Sequence, residues 1–352
     1  MSFPAVNNDI DVIEFVWNVD TWSHPNASTR IQGLTEINHT YNIGAQLCTP
    51  SQPAGSGGGK ADILQIATHG LVFNKKYWDS EVQPERYSYV HAAVNAGYSI
   101  LTYDRLGTGA SDKPDAYNIV QAPLQLEILA QITKAARSGA LAAVAKSHFN
   151  HSSIPPFSKI VHIGHSFGSI LTGGLLARYP ELSDGAIETG WLVNAHTGDY
   201  NQDSFGWQFA AENDPVRFGK RGSGYMVVGT KSSLQQGFFH AGSFDPKLLT
   251  YANSIKDTTT VGEVLSAASI IGLPGANFTG PVQHFLAEDD AVVCGGDCKN
   301  TFNITQLQGL FYPKASAVDV YVQPKTGHGL VLHNNATAGY QVMFDWLGRN
   351  GL

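Results

Sequence analysis

Five residues, Gly164-His165-Ser166-Phe167-Gly168, constrain this chain more than any other stretch. They stand between the apolar run 160–164 (IVHIG) and the run 167–179, which ends at Pro180. The first reads as a buried strand, the second as a helix stopped by proline. A serine at the turn between them must sit in a strained backbone conformation, with its hydroxyl exposed above the strand end. Glycine is required at 164 and 168 because a Cβ there would clash where helix and strand approach closely. The plainer alternative is a glycine-rich turn whose serine only caps the helix.

The surrounding pattern repeats this alternation. Residues 63–67, 99–103, 187–194, 282–286 and 317–322 read as further strands, with helices over 87–95 and 124–145. Residues 33–38 and 41–48 look like two paired strands, while the first ~30 residues look irregular and 51–60 form a flexible loop. Apolar runs alternating with helices indicate an α/β chain: a mainly parallel sheet of eight-stranded type, covered on both faces. Between 198 and 280 no strong strand stands out, yet aromatics abound, including Phe205, Trp207, Phe238 and Phe239. So long an insertion is expected to fold as a helical lid, leaving 1–197 and 281–352 as the core.

Composition removes some functions. Hydrophobic residues make up 43% of the 352, enough for a substantial core, and the net charge is −7 with no Lys/Arg cluster, which argues against nucleic acid as partner. No apolar stretch is long enough to span a membrane, and the first residues lack a signal-peptide pattern. Six N-x-S/T sequons, at Asn26, Asn38, Asn150, Asn277, Asn303 and Asn335, nevertheless point toward the secretory pathway. So does Cys294-Gly-Gly-Asp-Cys298, whose short loop suits a disulfide in an oxidising compartment. Metal binding by that pair would need two more ligands, and Cys48 is the only other thiol.

A nucleophilic serine needs a base, and the base an orienting acid. His328 lies in Thr-Gly-His-Gly just after the last strand, and Asp290 just after the preceding one. Strand ends at the C-terminal edge of such a sheet are where sites assemble. His165 and His333 compete for the base; Glu288, Asp289 and Asp199 compete for the acid. The backbone amides of Leu71, after the 63–67 strand, and of Phe167 are placed to stabilise an oxyanion. His69, Trp207, Phe238 and Phe239 are candidates to line the substrate pocket, although the ring of His69 tends in such loops to brace rather than react.

In order, His69-Gly70, the stretch 103–111 (YDRLGTGAS), GHSFG, the acid loop and TGHG resemble an α/β-hydrolase of the serine esterase/lipase type over nearly the whole chain. More narrowly, HGLVFNKKYWD, YSYVHAAVNAGYSILTYDRLGTGASD and CGGDC resemble lid-bearing hydrolases of filamentous fungi. The resemblance implies a typically secreted enzyme needing no cofactor or metal, with Asp104 and Arg105 bracing the fold. It also implies, as substrate class, an ester, lactone or thioester of a small molecule, natural products included. A lyase, isomerase or cyclase on the same scaffold, and a non-catalytic receptor, are the alternatives.

Overall fold

The computed structural model describes residues 1–20, 30–50, 60–141, 143–144, 157–194, 196 and 201–352. The main sheet comprises β1 (Ala45–Cys48), β2 (Ile63–Thr68), β3 (Ser99–Tyr103), β4 (Lys159–His165), β5 (Gly185–Thr189), β9 (Val282–Ala287) and β10 (Val318–Gln323). Their order is β1-β3-β2-β4-β5-β9-β10, with β1 antiparallel to β3 and every other pair parallel. Strands β2, β3, β5 and β9 are buried along their whole length, as parallel strands sandwiched between helices must be. The sheet therefore has seven strands among the described residues. The expected strand over 33–38 is absent: Gly33 makes a single bridge to Ser2, and only Ala45–Cys48 of the second run finds a partner edge.

Chain order decides where a site can form. From β2 the chain steps outward to β3, then returns to the other side of β2 as β4 and continues to β5. This reversal opens a crevice above the C-terminal ends of β2 and β4, where Thr68 pairs with Gly164. The helix Phe167–Arg178 leaves directly from the end of β4, and Ala122–Arg137 packs beside it. The latter helix stops short of the expected 145, where Ser138 and Gly139 interrupt it.

Two departures stand out, the first in the segment between β5 and β9. It contains three short strands, β6 (Trp207–Phe209), β7 (Tyr225–Val228) and β8 (Thr259–Thr260), paired antiparallel in a separate sheet. These strands are too short for alternation to register in sequence. Around them lie the helices Lys231–Phe238, Pro246–Ile255 and Val261–Ser266. The second departure is at the N-terminus, where Asp9–Asp20 is a helix rather than irregular chain. It docks on the insertion, and the Asp9 carboxylate accepts the Phe209 N–H at 2.7 Å. Among the described residues, no helix is long and apolar enough to cross a membrane.

Candidate active site

Ser166 adopts φ 53° and ψ −117°, a conformation that costs a non-glycine residue about 1–3 kcal/mol. One hydrogen bond and two glycines hold it there. Its N–H donates to the Thr189 carbonyl at 2.9 Å, which ties the turn to β5. A Cβ at Gly164 would lie 2.4 Å from the Ser169 Cα, and one at Gly168 2.1 Å from the Thr68 carbonyl oxygen. Only glycine lets the helix sit this close to β2 and β4.

His328 and Asp290 come from the loops after β10 and β9. The Asp290 Oδ2 lies 2.7 Å from the His328 Nδ1, and both side chains are buried. The other oxygen, Oδ1, accepts the Val292 and Val293 amides, each at 2.9 Å. With the Asp290 Oδ2 as acceptor at Nδ1, that nitrogen carries the hydrogen and Nε2 is free to take a proton. The rival acids are engaged elsewhere. Glu288 pairs with Lys299 and accepts the Lys325 N–H, while Asp289 pairs with His240 at 3.0 Å. Asp199 lies outside the described residues.

The rival histidines have other work. His333 Nδ1 donates to the Gly329 carbonyl at 2.9 Å, and its Nε2 accepts the amides of Gly327 and His240. It thus pins both ends of the loop that carries His328, and burial lowers its pKa to about 4, so it stays neutral. His165 stacks on Tyr77 at 4.4 Å, with burial and then the neighbouring His328 holding it well below the usual histidine range.

The Leu71 loop runs beside the serine: a Cβ at Gly70 would be 3.0 Å from the Ser166 Cβ. Arg105 fixes this loop. Its Nη2 donates to the Gly70 carbonyl at 3.1 Å, its Nη1 binds Gln125 and Glu263, and its guanidinium lies over the Phe167 ring. Asp104 accepts the Lys75 and Ala110 amides. Both side chains are committed to contacts within the fold, although the buried Arg105 Nε has no hydrogen-bond partner among the described residues.

Ser166 and His328 open onto a cavity of about 250 Å³. Its other walls are Val19, Leu71, Phe167, Ile170, Trp191, Phe205, Phe238, Val264, Ala267, Ile271, Val292 and Val293. Among the described residues, no charged side chain lines it. Of the four pocket candidates, only Phe238 lines it, with its ring 5.1 Å from that of His328. His69 does not: it is buried, donates from Nδ1 to the Gly70 carbonyl and accepts the Arg105 N–H at Nε2. Burial, then Arg105, depresses its pKa to about 3, so the ring is a neutral brace. Trp207 sits behind Phe205, at 5.0 Å, and Phe239 turns away onto Phe244 and His333. Sequence reasoning missed Val19 altogether. Its signal was the spacing Val12, Phe15, Val16, Val19, which places one apolar face on the Asp9–Asp20 helix.

A family model described as "Alpha/beta hydrolase family" matches residues 66–339. No curated protein sequence matches the chain. Among solved structures, the chain resembles a carboxylesterase of the ammonia-oxidizing thaumarchaeon Nitrososphaera gargenis at TM-score 0.56 and 13% identity, over 90% of this chain and 98% of that one. A thermophilic esterase from Thermogutta terrifontis aligns at TM-score 0.52 and 13% identity, over 88% and 94%. A protein described as a non-heme bromoperoxidase from Mycobacterium tuberculosis aligns at TM-score 0.53 and 16% identity, over 91% and 98%. At such identities the likeness is one of fold.

Proposed function

This chain belongs to the alpha/beta hydrolase family, and we propose that within it the protein is a serine hydrolase acting on a carboxylic ester of an apolar or aromatic small molecule. One observation carries the reading: Ser166, in its strained turn, and His328, bonded to Asp290, open together onto a cavity lined, among the described residues, by no charged side chain. In the proposed reaction the Ser166 Oγ attacks the acyl carbon while the His328 Nε2 takes its proton. The Leu71 and Phe167 amides bind the oxyanion, which collapses as His328 returns the proton to the leaving alcohol. Water, deprotonated by the same imidazole, then releases the acid from Ser166. The buried Asp290 carboxylate stabilises the imidazolium formed at each stage.

The segment 198–280 acts, in this reading, as a lid that sets substrate choice. Phe205, Phe238, Val264, Ala267 and Ile271 come from it and face the cavity, which supports the assignment. Burial of apolar surface there contributes about 25 cal/mol per Å². The sequence wording shared with lid-bearing fungal hydrolases extends the proposal to lactones, thioesters and natural-product esters. A secretory-pathway location is part of it, supported by the Cys294–Cys298 disulfide, whose Cα atoms lie 5.0 Å apart. Not every sequon fits a glycan: the Asn335 amide nitrogen donates to the Pro324 carbonyl at 2.8 Å.

The test is a panel of p-nitrophenyl esters of graded chain length, with Ser166→Ala as control. Bulky apolar esters should turn over at least about tenfold faster than acetate. Loss of all turnover in Ser166→Ala is expected. Faster cleavage of short polar esters, or equal rates in Ser166→Ala, would overturn the reading.

A further inference from the structure

A second cavity, of about 30 Å³, lies beside the first and shares Ile170 and Trp191 with it as lining residues. Its floor is polar. Glu188 on β5 and His284 on β9 face each other in register, and Tyr312 closes the group. The Tyr312 hydroxyl and the Glu188 Oε1 are hydrogen-bonded at 2.9 Å. The His284 Nδ1 lies 3.3 Å from both the Trp191 carbonyl and the Glu188 Oε2. A carbonyl can only accept, so Nδ1 carries the hydrogen and Nε2 presents a lone pair. Among the described residues that Nε2 has no hydrogen-bond partner, although His284 is buried. A buried acceptor left unpaired is costly, so the cavity wants a donor. Nearby Ser169 does not provide one, because its hydroxyl donates to the Thr189 carbonyl at 2.9 Å.

We propose that this cavity is a subsite that receives a hydroxyl group of the substrate, with the His284 Nε2 as its acceptor. A substrate chain leaving Ser166 between Ile170 and Trp191 enters it. The inference rests on the serine-hydrolase reading above. Size and charge both select a neutral group. The volume suits about one small polar group. Burial pushes the Glu188 carboxyl up to about 8 and the His284 imidazole down to about 4, so the cluster is largely uncharged at neutral pH and offers no counter-ion: the carboxyl proton lies on Oε1 toward the Tyr312 oxygen, and Oε2 is left to face the His284 Nδ1–H. The apolar walls of the main cavity would orient the hydrocarbon part while the hydroxyl sets how far it reaches. His284 is thus a specificity residue that never touches the reacting atoms.

The experiment uses matched ester pairs of graded length, one member carrying a terminal hydroxyl on the acyl or alkoxy chain and the other a methyl. At one length the hydroxylated member should show kcat/KM higher by about tenfold, the worth of one buried hydrogen bond. In His284→Phe that ratio should fall to one. Gly173→Ala is the second variant: its Cβ would sit 3.2 Å from the Glu188 Oε1 and 3.5 Å from the Tyr312 Oη, filling the cavity without touching His284. The ratio should fall there too. Binding is read apart from turnover by ¹⁵N-histidine NMR of Ser166→Ala, where the His284 Nε2 resonance should move with the hydroxylated ester and not with its methyl partner. Turnover with a ratio of one at every length and no resonance shift would overturn the subsite, leave the hydrolase reading intact and mark the cavity as a water site. A shift with no turnover of any ester would keep the subsite and sink the hydrolase reading.

Discussion

Replacing Asp290 by asparagine tests the role of this residue through hydrogen bonds that are already assigned. The Oδ1 position is surrounded by two backbone donors, the Val292 and Val293 amides at 2.9 Å. An asparagine must place its carbonyl oxygen there, because the reverse rotamer would set an NH₂ against two N–H groups and forfeit both bonds, at about 1–3 kcal/mol each. The NH₂ then occupies the Oδ2 position, 2.7 Å from the His328 Nδ1. Donating to Nδ1 forces that nitrogen to accept and moves the ring hydrogen to Nε2, the atom that must take the serine proton. Fold and packing survive, while the imidazole is locked in the unproductive tautomer. The expected fall in kcat is on the order of 10⁴, about 5 kcal/mol of barrier. The assay is kcat on the best p-nitrophenyl ester, with thermal melting to show that Asp290→Asn is folded. Asp289→Asn, whose carboxylate serves the part-exposed His240, should stay within a few-fold of the parent. Near-parental turnover in Asp290→Asn, together with collapse in Asp289→Asn or Asp199→Asn, would refute the reasoning.

Gly168→Ala should cost well over 2 kcal/mol of stability, visible as a large drop in Tm or loss of soluble protein, because its Cβ would meet the Thr68 carbonyl oxygen at 2.1 Å and backbone cannot yield cheaply. Non-reducing peptide mapping should find Cys294 joined to Cys298 and Cys48 alkylated; the Cys294→Ser, Cys298→Ser double variant should lose roughly 2 kcal/mol, measured by urea unfolding. Acid should destabilise the fold through its buried histidines. Burial lowers His69 and His162 to about 3 and His284 and His333 to about 4, against about 6.5 unfolded. Between those values the unfolded chain binds more protons, so stability is highest above pH ~6.5 and falls as pH drops toward 4, by at most about 1.4 kcal/mol per unit for each histidine. Glu188, raised to about 8, acts in the opposite sense over part of that window and lowers stability as pH rises toward 8. Urea unfolding at a series of pH values checks both signs, and Glu188→Gln should remove the decline on the alkaline side.

What could be read from the sequence was whatever has a local cause. The turn around Ser166 is specified by two glycines and a strand-to-helix switch within a few residues, so its conformation follows from neighbours alone. The strands that flank it are continuous apolar runs, buried on both faces, and such runs are visible without knowing their partners. The loops holding Asp290 and His328 were legible for the same reason, as strand ends. Pocket lining is a different kind of fact. Whether Phe238 or Phe239 faces the cavity depends on how the Lys231–Phe238 helix ends and where it docks, and adjacent aromatics in sequence point opposite ways. Trp207 became a second layer behind Phe205 because β6 pairs with β7, two strands too short to announce themselves. Val19 reaches the site across a distance of more than a hundred residues, on a helix whose docking depends on the insertion it covers. His69 was ambiguous between lining and bracing until Arg105 could be seen to donate its amide to the ring.

The central claim is that Ser166 is an activated nucleophile in an accessible site. Its most direct measurement is intact-protein mass spectrometry after exposure to an alkyl fluorophosphonate, followed by peptide mapping. One adduct per chain, located on Ser166, absent from Ser166→Ala and strongly slowed in Asp290→Asn, is the expected result. No adduct under conditions that label a known serine esterase, or an adduct on a different residue, would contradict it.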